Sequence, residues 1–309
     1  MLTFIFAASI AATQFISAPD AEASSPSAAN TATAQTSVNA PPPAAEPHRA
    51  PRGYALVFAD EFNSGSQPDS ARWAYDTHKN ADGWYNNELQ YYANARRENV
   101  RIENGNLVLE ARRETLSADL FDDFGGQNYT STRLFTQGKA AWTYGFFEVR
   151  AKLPCQRGSW PAIWMLPEDP DVVWPAGGEI DIMEHVGYDP TVIHHSVHTK
   201  AFNFGRNTQR TTSYDLPTAC SQFHRYQLLW TPKGLLFGVD DTPKFYFEKK
   251  RSDRARWPFD QPMHLILNIA VGGDWGGRKG VDDAAFPAVM EIDHVRVYQL
   301  PSANAEIAR

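Results

Sequence analysis

Three carboxylates fall within six residues at Glu179, Asp181 and Glu184, inside the run Gly177-Gly178-Glu179-Ile180-Asp181-Ile182-Met183-Glu184-His185, whose other members favour a β-strand. Two carboxyls about 5–5.5 Å apart across a glycosidic bond are the apparatus of retaining glycoside hydrolysis, one as nucleophile and the other as acid and base. In a plain strand Glu179 and Asp181 share one face while Ile180 and Ile182 take the other. Strict alternation would then leave Glu184 among the isoleucines. A β-bulge at Ile182-Met183 slips the register by one residue and returns Glu184 to the acidic face. The outer glutamates then stand roughly 13 Å apart at Cα, a span that long side chains leaning inward shorten. An edge strand with a solvated acidic face fits the same local pattern, so the surrounding elements must decide.

Those elements read as short strands. Tyr54–Phe58, Tyr144–Leu153, His194–Thr199, Tyr226–Trp230, Leu235–Val239, Met263–Val271 and Met290–Tyr298 each alternate or run apolar between turn signals, and no long segment carries a 3.6-residue period. Asn99–Arg112 is two alternating runs joined across Asn104-Gly105, a hairpin signal. The expected fold is all-β, a sandwich of two antiparallel sheets with one free sheet face available as a groove. Aromatics gather where such a groove would be lined: Trp84 and Tyr85 beside Asn86 and Asn87, Trp160 and Trp164 around Pro161, and Trp275 in a glycine-rich loop. Flat rings next to hydrogen-bonding groups suit the apolar face and equatorial hydroxyls of a sugar. Packing in the core is the plain alternative for each tryptophan.

The 309-residue chain has a net charge of −7, which argues against nucleic acid or an anionic surface as partner. Residues 1–23 read as a secretory signal, with an apolar stretch from Met1 to about Ile16 and a small-residue site at Ala21-Glu22-Ala23, although no basic residue precedes them. The stretch is too short for a membrane span. Residues 24–52, rich in Ala, Pro, Ser and Thr, read as a flexible linker, residues 53–300 as the sandwich domain and 301–309 as a tail. A secreted or periplasmic monomer is expected. In such a chain Cys155 and Cys220 most simply form one disulfide, stabilising by about 4 kcal/mol in the chain-entropy model. Two unpaired buried thiols are the alternative. The basic run Lys249–Arg256 reads as a solvated loop.

Glu179-Ile-Asp-Ile-Met-Glu184 resembles the bulged Glu-x-Asp-x-x-Glu signature of glycoside hydrolase family 16. Asn86–Tyr92, Glu98–Leu107, Trp160–Leu166, Phe223–Tyr226, Trp230–Pro232 and Pro258 through Tyr298 look like the bacterial laminarinases of that family, the endo-β-1,3-glucanases. The resemblance covers residues 54 to 299. It implies a β-jelly-roll with a concave substrate cleft and double-displacement hydrolysis of β-1,3-glucan, with mixed β-1,3/1,4-glucan as a further substrate. By it Glu179 is the nucleophile, Glu184 the acid/base, and Asp181 the residue that tunes the nucleophile. No catalytic cofactor is required.

The resemblance further implies sugar contacts from Trp160 and Trp164, and hydrogen bonding from Asn87 and Arg133 on the non-reducing side. Asn86 and Asn87 face opposite ways if the segment is extended, so only one of them would line the cleft. His198 approaches the leaving side, or is a satisfied strand histidine. Many laminarinase-like members hold a structural Ca²⁺, and the matching oxygens here belong to Glu61, Gly105 and Asp293. Alternatively Asp293 sits beside the last strand with no ion. Two other functions remain open: an agarase or carrageenase, for which an acidic chain makes sulfated carrageenan the poorer substrate, and a non-catalytic β-glucan-binding module.

Overall fold

The computed structural model describes residues 50–251 and 253–301. The expected signal segment, all but the last residues of the linker, and the tail beyond Pro301 lie outside that range. In chain order the strands are β1 (Ala55–Asp60), β2 (Ala74–Tyr75), β3 (Gln90–Tyr92), β4 (Val100–Glu103), β5 (Asn106–Arg113) and β6 (Tyr129–Ser131). Next come β7 (Arg133–Phe135), β8 (Gly145–Lys152), β9 (Ser159–Pro167), β10 (Glu179–His185), β11 (Val192–His198) and β12 (Arg210–Asp215). The last are β13 (His224–Thr231), β14 (Gly234–Val239), β15 (Thr242–Glu248), β16 (Met263–Val271) and β17 (Ala288–Gln299). Among the described residues no helix is long and apolar enough to cross a membrane.

The strands form the two sheets of a jelly-roll sandwich. One sheet runs β12-β11-β10-β9-β16-β7-β2; the other runs β15-β14-β13-β8-β17-β5-β6-β3, with β1 added to β17 and β4 to β5. Pairing is antiparallel except between β3 and β6, which lie parallel and depart from the uniformly antiparallel expectation. The hairpin at Asn104-Gly105 forms with both residues at positive φ, 53° and 75°, as a tight turn between β4 and β5 requires.

Alternation assigns the faces. Ile163 and Met165 of β9, Ile193 and Val197 of β11, and Leu265, Leu267 and Ile269 of β16 enter the core. They meet Phe147 and Val149 of β8, Leu228 and Trp230 of β13, and Val295 and Val297 of β17 from the other sheet. The neighbours of these residues in β9, β11 and β16 must then face outward: Trp160 and Trp164, His194, Ser196 and His198, and Asn268. Every residue of β16 is buried, and its one amide, Asn268, shares the outward face with His264 in a central strand whose other residues are apolar.

Cys155 and Cys220 form the expected disulfide, with Cα atoms 5.9 Å apart. Cys155 Sγ also lies 3.3 Å from His185 Nε2, which ties the bridge to the end of β10.

Candidate active site

Strand β10 is bulged where the sequence requires it. Against β9, Asp181 pairs with Trp164 and Met183 with Ile163, so Ile182 is the extra residue. Against β11, Asp181 pairs with Ser196 and Glu184 with His194, so Ile182 and Met183 together stand opposite the single residue His195. Ile180, Ile182 and Met183 all enter the core. Glu179, Asp181 and Glu184 share the outward face with the tryptophans of β9. A bulge leaves a backbone group out of the ladder. Here His195 of β11, fully buried between Tyr214 and Phe237, places Nδ1 2.6 Å from the Ile182 carbonyl, where its N–H donates. Burial pushes this imidazole down to about 4, so it remains neutral at ordinary pH.

Each carboxyl has its own surroundings. Trp160 Nε1 donates to Glu184 Oε1 at 3.2 Å, and the nearby Ser196 hydroxyl, 2.8 Å from Thr211 Oγ1, also favours the charged form of Glu184. Burial pushes Glu184 up to about 7 against these two groups. Glu179 is pushed up to about 8 by burial and then by the Glu184 charge, against a hydrogen bond from Trp174 and the field of Arg133. Asp181 is held well above the usual carboxylate range by burial and by both glutamates. His198 Nε2 lies 3.4 Å from Asp181 Oδ2 and 3.7 Å from Glu179 Oε1. Burial pushes His198 down to about 4, so near neutral pH a protonated Asp181 faces a neutral imidazole rather than forming an ion pair. The interacting acids give up their protons as a cluster, and between its steps one negative charge is shared among them. The lower value of Glu184 makes it the more readily ionised glutamate of the unliganded site, while Trp174 and the Arg133 cation act in the opposite sense and stabilise charge on Glu179.

Arg133 lies with its guanidinium 4.7 Å from the Trp164 ring centre and 5.1 Å from that of Trp84, and pairs with Asp76 at 2.8 Å. Trp164 Nε1 donates to Asn268 Oδ1 at 2.7 Å, and Asn268 Nδ2 to the Tyr92 hydroxyl at 2.9 Å. Trp275 packs edge-on against Trp160 with ring centres 5.2 Å apart, and against His194 at 4.9 Å. The expected substrate contacts Arg133, Trp160, Trp164, His198 and Trp275 thus converge around the three acids.

Asn87 belongs to the rim. Asn86 and Asn87 are not extended: both have φ of 56° in a short 3₁₀ turn, a conformation asparagine tolerates, so the opposite-faces expectation fails. Asn87 Nδ2 donates to Asp274 Oδ1 at 2.8 Å, joining this turn to the Trp275 loop. The calcium expectation is not confirmed. Both Glu61 oxygens accept from Arg296, at 2.7 and 2.8 Å, while Asp293 accepts from His294 and pairs with Arg150. Carboxylates so committed to cations do not fit a donor set for a further dication, and Gly105 contributes only a turn carbonyl.

Sequence reasoning missed several groups. Ser196 and His194 follow from alternation once His198 is put on the cleft face, and Asn268, the one amide of β16, could have been picked out by the same alternation. Glu88, pushed up by burial and held by Gln90 at 2.9 Å, and Trp174, in the loop before β10, carried no such signal.

Comparisons with known proteins agree with this geometry. Residues 87–294 match the model for "Glycosyl hydrolases family 16". The chain is 51% identical over 254 residues to a beta-glucanase of Rhodothermus marinus, covering 80% of this chain and 85% of that one. Among solved structures it resembles a non-specific endo-beta-1,3(4)-glucanase from family GH16 at a TM-score of 0.79 and 55% identity, covering 82% and 98% of the two chains. It also resembles the laminarinase from Rhodothermus marinus at 0.75 and 50%, covering 81% and 98%. With a bulged acidic strand on the free face of a jelly-roll and matches across most of its length, the chain belongs to glycosyl hydrolases family 16.

Proposed function

We propose that the protein is a retaining endo-β-1,3-glucanase that also accepts mixed β-1,3/1,4-glucan. The observation that carries the reading is the bulge at Ile182, which sets Glu184 on the face of Glu179 and Asp181 beneath paired tryptophans. In the first step the Glu179 carboxylate bonds to the anomeric carbon as the glycosidic C–O bond breaks, and Glu184 gives its proton to the leaving oxygen. Water then attacks the same carbon, its proton passes to Glu184, and the Glu179 ester bond breaks. Asp181, protonated between the glutamates, holds the nucleophile in place without adding a second negative charge beside it. Trp160, Trp164 and Trp275 offer sugar platforms, with Arg133, Asn268 and His198 as hydrogen-bonding neighbours and Asn87 bracing the rim.

The reaction requires no cofactor, and a structural calcium forms no part of the proposal, since Glu61 and Asp293 would first have to leave their cationic partners. The apolar, small-residue N-terminal stretch and the Cys155–Cys220 bridge support export to an oxidising compartment. Reducing ends released from laminarin, lichenan, agarose and carrageenan test the substrate; silence on both glucans would sink it, and silence on all four would favour a binding module. Glu179→Ala with azide tests the mechanism, with azide restoring turnover and giving an inverted glycosyl azide.

A further inference from the structure

The basic run Lys249–Arg256 plays no part in the cleft. It lines a cavity of about 570 Å³ where the edge strands β12 and β15 of the two sheets come together, within the size range of small-ligand sites. Arg210, Lys249, Lys250, Arg251 and Arg256 supply five cations to the wall, and Glu248 is the one acid. Three of the cations are partly compensated: Lys249 by Asp260 at 2.6 Å, Arg256 by Asp253 at 3.1 Å, and Lys250 by Glu248 at 3.9 Å. Among the described residues Arg210 and Arg251 have no ion-pair partner, and both are exposed. On a chain of net charge −7 this is a local reversal of sign.

The same wall is aromatic. Phe247 stacks on buried Trp257 with ring centres 5.8 Å apart and planes at 12°, Tyr246 is half exposed, and the Arg210 guanidinium lies 4.3 Å from the centre of the Phe202 ring. Rings that accept the apolar face of a sugar, beside arginine forks shaped for carboxylate or sulfate, recognise a charged glycan. A compact cavity on an acidic protein lacks the extended basic stripe that a nucleic-acid backbone needs. We propose that this cavity is a second carbohydrate site, separate from the catalytic cleft, that binds anionic polysaccharide through uronate or sulfate groups.

Its position gives the site a use. The segment that brings Phe202 to the cavity continues to Phe204, whose ring lies 5.0 Å from Trp174 and 5.8 Å from His198 in the cleft. An anionic chain held here tethers the protein beside one end of the cleft, raising the local concentration of neutral glucan embedded in the same matrix.

Affinity electrophoresis of the full chain in native gels tests the proposal, with polygalacturonate, dextran sulfate or unsubstituted dextran cast into separate gels. Retardation is expected in one or both anionic gels and not in dextran, and the two anionic gels separate uronate from sulfate recognition. The double variant Arg210→Glu/Arg251→Glu should weaken that binding at least about tenfold, a loss expected when two charge-assisted contacts become repulsive. The variant's hydrolysis of a neutral soluble tetrasaccharide should equal the wild type's, which also verifies its folding. Absence of retardation in both anionic gels, retention of binding by the variant, or stronger displacement by single-stranded DNA than by either polyanion would each overturn the proposal.

Discussion

Replacing His195 tests whether the bulge is held in place or merely tolerated. His195→Leu keeps a side chain of similar volume between Tyr214 and Phe237 but removes the Nδ1–H that reaches the Ile182 carbonyl at 2.6 Å. That carbonyl is buried, so losing its donor costs about 1–3 kcal/mol of stability. His195→Asn places an amide N–H close to the position of Nδ1 and should restore most of the loss. The bulge carries Glu184, so His195→Leu should also lower kcat with little change in KM, because the ground-state platforms Trp160 and Trp164 belong to β9. Urea denaturation and initial rates on a soluble β-1,3-glucan at neutral pH read both effects. The folded imidazole stays neutral down to about pH 4 while the unfolded one protonates at its ordinary value of 6.5, so the advantage of the wild type over His195→Leu should be full at pH 8 and shrink by about 2 kcal/mol toward pH 5. Equal stability and kcat for His195→Leu and the wild type, or no advantage of Asn over Leu, would refute the reasoning.

Two further substitutions probe the acid cluster. Trp160→Phe keeps an aromatic face but removes the 3.2 Å donor to Glu184, which raises the carboxyl further; a hydrogen bond to a charged group at the weak end, ~1.5 kcal/mol, moves the alkaline limb of kcat/KM up by about one pH unit. A shift in KM alone would reduce Trp160 to a platform. Asp181→Asn removes a carboxyl whose folded pKa lies well above its unfolded value. Asp181 therefore favours the native state most below its unfolded pKa, and that contribution is lost as pH rises toward the folded one. The Asn variant should match the wild type in Tm near pH 3, exceed it increasingly at higher pH, and lose activity; an equal Tm at pH 3 and 8 would contradict the assignment.

Much of the fold was legible because period-two patterning names both the strands and their faces. The bulge could be inferred from a contradiction: Glu184 in strict alternation would have been an unpaired acid in an isoleucine layer, and one extra residue removes that cost. What holds the bulge was not legible, since His195 in His194-His-Ser-Val-His198 looks like any strand histidine until the opposite sheet closes over it. Asn86 and Asn87 were misread because asparagine's tolerance of positive φ competes with an extended reading, and local sequence does not say which wins. The calcium expectation is not confirmed, and the sequence could not show that a carboxylate's partner is chosen by what folding brings near, here Arg296 from the last strand. The basic run is the loop the sequence suggested, and the aromatics beside it flank it in sequence, in β15 and at Trp257; only Phe202 and Arg210 reach it from elsewhere in the chain.

The three clustered carboxyls, Asp181 buried and the two glutamates half-buried, also have an evolutionary consequence. Their burial disfavours the charged state, while the sandwich relies on Ile180, Ile182 and Met183 on the opposite face. Neutral replacements at the acids therefore leave the architecture and its sugar platforms standing and relieve an electrostatic load. A descendant released from selection for turnover drifts downhill in free energy toward a catalytically silent lectin. The three acids of this chain thus stand against the thermodynamic gradient of its own fold.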